Sequence, residues 1–235
     1  LQARMASRRL PGKVLLPILG RAMILRQLER IQFSEFSKDL VVATTDMEID
    51  DQLASVISST GYELFRGSCD DVLDRYYQVA RQYGLSHVIR ITGDCPLIDS
   101  HIIDKVVKAH IDSNSDYTSN NFPPTFPDGL DVEVMNYSTL EKCWERAKLI
   151  SEREHVTLYV KNNRTDFKCT NIVADEDWSN FRWTVDEQQD LEFVRAVYSS
   201  LYCSNNEFPM EAILELVNNR PELAAINRGI KRNEG

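Results

Sequence analysis

The chain reads as an α/β protein with a mostly parallel sheet and helices on both faces. Two observations predict this. Short apolar, β-branched runs alternate with segments of helical periodicity through the first half. The runs at 63–66 and 87–91 also pass into polar, Gly-bearing loops, the pattern of strands that end at a ligand-binding edge. Residues 40–44 (LVVAT) form the first clear buried strand. Residues 48–60 follow as a helix through Ile49, Leu53, Val56 and Ile57, stopped by Gly61. Residues 63–66 make a short strand, and 70–83 a helix whose broad apolar face runs from Val72 to Tyr83. Residues 87–91 are a strand entering Thr92-Gly93-Asp94, and Ser100 caps a helix carrying Ile102, Ile103, Val106 and Val107. Residues 116–119 are the next strand.

The pattern changes at Asn120. Residues 120–129 (NNFPPTFPDG) are a long Pro- and Asn-rich loop of functional character. Strands are expected at 130–134, 167–173 and 181–184, and helices at 138–147, 152–160, 187–201 and 209–219. There is no internal repeat and no linker-like stretch, so one domain over 1–235 is expected.

A formal net charge of −9 argues against coating nucleic acid or lying on a membrane, since both need basic surface. The five cysteines, Cys69, Cys95, Cys143, Cys169 and Cys203, are scattered without a CxxC pair, which argues against a zinc knuckle and a disulfide framework. With no signal-peptide pattern and no apolar run of spanning length, the expected location is the cytoplasm. The opening at Leu1, without methionine, reads as a first strand whose initial residues are missing.

Four segments carry possible chemistry. Arg4, Arg8, Arg9 and Lys13, with Ser7 and Gly12, suit a polyphosphate if they gather at the sheet's carboxyl edge; otherwise they form a solvated basic loop. Asp94, after a buried strand and a Gly turn, is either a Mg²⁺ ligand or a turn cap, and its neighbour Cys95, with no His partner arrangement, reads as a packing residue. Asp186 is either a helix N-cap or a second metal carboxylate. Asp131 and Glu133 share a strand face by the period of two, facing either a ligand or solvent, and His155 is a lone histidine between structural and functional roles.

Taken in order, QARMASRRLPGKVL, VVATTD, FRGSCDDVLDRYY, VIRITGDCPLID, PDGLDVEV, REHVTLYV and FRWTVDEQQDLEFV resemble the SpsF-type cytidylyltransferases, relatives of the acylneuraminate and ketodeoxyoctonate cytidylyltransferases. The resemblance covers nearly the whole chain, including AAINRGIKRNEG at its end. It implies the Rossmann-like nucleotide-diphosphosugar transferase fold, with 1–119 as the nucleotide-binding half and 120–235 as the sugar-binding and closing half. The implied reaction joins CTP and a sugar, an acidic 3-deoxy-keto sugar by analogy with the relatives, to give CMP-sugar and pyrophosphate for surface polysaccharide. The implied cofactor is Mg²⁺ on Asp94 and Asp186. Arg4 and Lys13 would neutralise phosphate, with Gln2, Ala3 and Ser7 in the same loop. Thr44, Asp46, Arg66 and Gly67 fall where relatives recognise base and ribose. Asp131, Glu133, Arg153, His155 and Arg182 fall on the sugar side, and a homodimer suits the relatives.

The first loop departs from the RGGSKRIPRKN pattern of the acylneuraminate enzymes by lacking its glycine pair. Rival readings are a sugar-1-phosphate nucleotidylyltransferase using another NTP, a glycosyltransferase of the same fold and a non-catalytic sugar-nucleotide-binding protein.

Overall fold

The structure is a computed structural model that describes residues 1–202, 206–230 and 232. After the first loop come a small antiparallel hairpin, β1 (Pro17–Ile18) and β2 (Arg21–Ala22), and helix α1 (Met23–Ile31). Then follow β3 (Val41–Thr45), α2 (Asp51–Ser58), β4 (Glu63–Gly67), α3 (Val72–Gln82), β5 (His87–Arg90), α4 (Ser100–Ser113) and β6 (Tyr117–Ser119). The second half holds β7 (Glu133–Asn136), α5 (Tyr137–Arg146), α6 (Ile150–Glu154), α7 (Leu158–Asn162), β8 (Cys169–Asn171), α8 (Gln188–Leu201), α9 (Met210–Asn219) and α10 (Pro221–Ala224).

Residues 1–3 join the pair β3–β4 to the four-stranded group β5-β7-β6-β8. Gln2 N–H donates to the Ile91 carbonyl (3.0 Å), and Ala3 N–H donates to that of Ala43 (3.1 Å). The order across the sheet is therefore β4, β3, residues 1–3, β5, β7, β6, β8. All neighbours run parallel except β7, which is antiparallel to both β5 and β6. Because β7 pairs with β5, the halves 1–119 and 120–235 share one sheet.

The helices cover both faces. On one side α1, α2, α4, α8 and α9 bury Leu28, Leu53, Val106, Val194 and Ile213 against Trp183 and the strands. On the other, α3, α5 and α7 bury Tyr76, Leu140 and Val160. Helix α1 lies in a stretch where no element is expected from periodicity. The reason is that Arg26, Gln27 and Arg30 are buried with the apolar residues and break the pattern. Carbonyls take part of their polar ends: Gln27 Nε2 donates to Thr92 O (2.7 Å) and Arg30 Nε to Ile98 O (2.7 Å), while Gln27 Oε1 and Arg30 NH1 have no partner among the described residues.

Several expected boundaries move. The helix expected over 152–160 divides into α6 and α7. The cap of α4 is Asp99, whose carboxylate accepts from His101 N–H at 2.8 Å, not Ser100. The strand expected over 130–134 begins at Glu133, and 181–184 contributes one bridge, Asp128 to Arg182. Cys95 and Cys143 are buried free thiols and Cys69 and Cys169 half-buried ones; Cys203 lies outside the described residues.

His110 on α4 ties that helix to the sheet. Asn136 Nδ2 donates to Ser115 O (3.0 Å), so its Oδ1 accepts from His110 Nε2 (3.1 Å). Nδ1 then accepts from the Thr118 hydroxyl (3.0 Å), which requires the neutral ring. Burial, helped by His87 nearby, lowers the pKa of His110 even though Asn136 opposes the shift. A folded-state pKa below the unfolded one means the unfolded chain binds more protons, so stability falls as the pH drops below about 6.5. His110→Gln is expected to melt below wild type at pH 7.5, with the gap narrowing at pH 5.5. A gap that stays constant with pH would refute this assignment.

Candidate active site

The carboxyl ends of residues 1–3 and β5 open into a cleft of about 890 Å³. Gln2, Ala3, Arg4, Ser7, Arg8, Arg9 and Lys13 line it from the first loop, and Thr92, Gly93, Asp94 and Asp186 from the sheet edge. Cys69, Asp70 and Arg75 line it from the start of α3, and Ile150, Glu154 and His155 from α6 and just beyond.

The first loop is held by backbone contacts that the sequence only partly announces. Gly12 adopts φ 69°, a left-handed turn that glycine takes without strain, and its N–H donates to Met5 O (3.0 Å). Met5 N–H donates to the Asp50 carboxylate (2.6 Å), which also takes the Thr45 hydroxyl. Asp50 is thus a positioning residue that sequence patterning does not reveal. Gly93 passes directly beneath the loop, donating to Gln2 O at 2.7 Å. A Cβ at Gly93 would meet Ala3 Cβ and Gln2 O at 2.8 Å. Gly93→Ala is therefore expected to cost about 1–3 kcal/mol by overpacking and to shift the loop. Thermal melting should show a drop of a few degrees, and an unchanged midpoint would contradict the close approach.

At the floor of the cleft, Lys13 Nζ donates to Asp94 Oδ2 (3.2 Å), Asp186 Oδ1 (2.8 Å) and the Val185 carbonyl (2.8 Å). Burial works against the ammonium, but the Asp94 and Asp186 carboxylates more than offset it, so its pKa is raised. Burial would push Asp94 up, yet Lys13 and the Thr92 hydroxyl (2.6 Å) hold it below the usual carboxylate range. Two backbone features align these groups. Val185 N–H donates to Asp94 O (2.8 Å), and Gly129, at φ 110°, brings its backbone against Trp183 and Thr184. Asp186 is therefore a cleft residue; the N-cap of α8 is Glu187, in a capping box with Asp190. Arg9 completes the cluster with Asp186 (3.0 Å) and Glu187 (3.4 Å).

The base-side candidates lie beside the cleft, at the carboxyl ends of β3 and β4. Thr44 is fully buried, and its hydroxyl has no partner among the described residues. Asp46 N–H donates to Gly67 O (3.0 Å), and Arg66 bonds Thr45 O (2.9 Å) and Met47 O (3.0 Å) and pairs with Asp51 (2.7 Å).

Among the sugar-side candidates, His155 lines the cleft and the others hold protein partners. Arg153 grips Asp71 and donates to Trp144 O (2.6 Å). Asp131 is held by Arg232 (2.6 and 2.9 Å). Glu133 is buried among Arg90, Lys161 (3.0 Å), Tyr117 and Thr157 (2.8 Å). Burial would raise its pKa, but Arg90 and Lys161 bring it down to about 2. Arg182 is buried against Asp128 (3.0 Å), Asp186 (2.8 Å) and Asp190 (3.0 Å).

The sheet order, the loop of cations over its carboxyl edge and the paired carboxylates beneath define the class: a Rossmann-like nucleotidyltransferase. The chain belongs to the cytidylyltransferase family, whose sequence pattern matches residues 1–229. It is similar to the spore coat polysaccharide biosynthesis protein SpsF of Bacillus subtilis, 34% identical over 232 residues, 95% of each chain. The solved structure of a cytidylyltransferase from Leptospira borgpetersenii superposes with a TM-score of 0.92 at 36% identity, covering 98% of this chain and 97% of that one. The structure of CMP:2-keto-3-deoxy-manno-octonic acid synthetase complexed with CTP superposes with a TM-score of 0.62 over 85% of this chain and 96% of that one. At 18% identity that likeness shows the shared fold. Among the described residues no helix is long and apolar enough to cross a membrane.

Proposed function

We propose that the protein transfers the cytidylyl group of CTP to a hydroxyl of an acidic sugar, releasing pyrophosphate. The observation that carries this reading is the convergence of Asp94, Asp186 and Lys13 at the floor of a cleft roofed by Arg4, Arg8 and Arg9. The sugar oxygen attacks the α-phosphorus as the bond to the bridging oxygen breaks, and the hydroxyl proton passes to solvent. Pyrophosphate leaves with the bonding pair, so the protein's work is positioning and charge neutralisation. Arg4 and Lys13 neutralise the phosphates, while Gln2, Ala3 and Ser7 shape the loop around them. Thr44, Asp46, Arg66 and Gly67 flank the base and ribose. His155, which also lines the cleft, is assigned to the sugar side.

Both carboxylates lie within 3.2 Å of one positive centre, the Lys13 ammonium, so the donor set already brackets a cation. Hard carboxylate oxygens of this number suit Mg²⁺, which fills its remaining positions with water and phosphate. Asp94 and Asp186 are the residues to hold it, and when bound it supplies electrostatic stabilisation of the developing phosphate charge.

Melting the protein with Mg²⁺ and CTP, UTP, GTP or ATP tests the reading. A ligand at about 100 times its Kd adds about 2.7 kcal/mol, a rise of roughly 5–10 °C for a chain of this size. CTP alone should produce it, and acidic sugars should then release pyrophosphate. Equal shifts with all four nucleotides, or none, would sink the CTP assignment.

A further inference from the structure

Arg75, in the first turns of α3, is a guanidinium buried to 1% exposure on the wall of the cleft. Buried charges are normally paired, yet among the described residues Arg75 forms no ion pair. Its NH1 donates to Ser68 O (3.0 Å), and its Nε, also buried, has no partner among them. The nearby acids are spent elsewhere. Asp71 holds Arg153 and the Asp74 N–H, Asp74 accepts from Trp144 Nε1 (2.8 Å), and Asp50 holds Met5 and Thr45. Burial is the largest influence on the charge and opposes it, as do the field of Arg4 and the positive end of the α3 dipole. The weaker favourable fields of Tyr76, Cys69 and Asp50 do not offset them. Arg30, another buried guanidinium without a carboxylate, differs in kind, because it is wrapped by the carbonyls of Leu97, Ile98 and Phe208 away from the cleft.

We propose that Arg75 is an oxyanion-binding residue of the cleft, whose missing counter-charge arrives as a phosphate or carboxylate oxygen of a substrate. This rests on the cleft being the nucleotidyl-transfer site proposed above. Arg75 packs on Gly67, where a Cβ would lie 3.5 Å from Arg75 Cγ, and its side chain reaches past the end of β4 to Ser68 O at the cleft wall. A group there adds buried guanidinium donors, held in place by packing, to those of the half-exposed Arg4.

The test uses Arg75→Met and Arg75→Lys in the full chain, with inorganic pyrophosphate and pyruvate as separate probes of the two oxyanion classes. Without ligand, Arg75→Met is expected to melt at or above wild type, because an uncompensated buried charge has been removed. It should bind the responding probe about 10- to 100-fold more weakly, the cost of a charge-assisted hydrogen bond. Arg75→Lys, which keeps the charge and loses the fork, should bind it several-fold more weakly than wild type. Loss with pyrophosphate assigns the site to the nucleotide's phosphates, and loss with pyruvate assigns it to the sugar's carboxylate. The proposal is overturned if both variants bind each probe as wild type does, if wild type binds neither probe, or if both variants melt lower with their binding intact. Wild type that binds pyrophosphate and shows no preference for CTP would instead refute the cytidylyl reading and leave the Arg75 assignment standing.

Discussion

Lys13→Met is expected to slow pyrophosphate release by at least about 10²-fold, and by up to about 10³-fold, the usual cost of removing one preorganised charge from a transition state. The size follows from where the ammonium sits. It is buried, bonded to Asp94, Asp186 and the Val185 carbonyl, and surrounded by the groups that would meet the nucleotide's phosphates. The substitution should also leave a second signature. Two carboxylates would lose their shared cation, and Asp94 would lose the neighbour that holds its pKa down. Without divalent metal the variant should melt below wild type. Added Mg²⁺ should restore more stability to it than to wild type, because the two acids then have a cation to bind. Pyrophosphate-release kinetics and melting curves with and without Mg²⁺ read both effects. Wild-type rates in Lys13→Met would remove the residue from the chemistry.

Arg182→Met is expected to destabilise the fold by about 3–5 kcal/mol, or roughly 10 °C in melting temperature, more than either Gly93→Ala or His110→Gln. Arg182 bridges Asp128, Asp186 and Asp190, and Asp190 is fully buried. Burial alone would raise the Asp190 pKa, and Arg182 is the leading influence that holds it low. Removing the guanidinium strands that carboxylate, although Asp186 N–H, Glu187 N–H and Asn227 Nδ2 still donate to it. A second substitution, Asp190→Asn, should recover part of the loss, since neighbours in one network do not act additively. Calorimetry on the single and double variants checks this. Independent, additive losses would show that the pair is not coupled. Arg182 thus holds Asp186 in place at the floor of the cleft, with its own donors engaged by the carboxylates of Asp128, Asp186 and Asp190.

Much of the candidate site's lining was legible in the sequence. The basic loop after residues 1–3 and the acid after the β5 strand lie at the carboxyl edge of the sheet, where ligands bind, and the acid after residues 182–185 lines the same cleft. Arg75 leaves a faint signal, a charge that interrupts the apolar stripe of α3 between Val72 and Val79, and periodicity alone gives it no role. Asp50 leaves none, because an acid near a helix start looks like an ordinary cap. The pairings of Glu133, Arg153 and Arg182 were equally hidden, since a charged residue in a string of letters carries no record of its partner.

Most local elements and the α/β fold class were written in the residue pattern, and the ordered motifs carried the resemblance to a family. Period-two and period-3.6 alternations reflect which side chains must leave water, and that requirement acts within a few residues. Three features came only with the folded chain. Strand β7 enters antiparallel between β5 and β6, residues 1–3 close the gap between two sheet fragments, and Lys13 meets acids 81 and 173 residues away. These are matters of long-range pairing. Hydrogen bonds and ion pairs form between whichever groups the packed core brings within about 3 Å, whatever their distance along the chain.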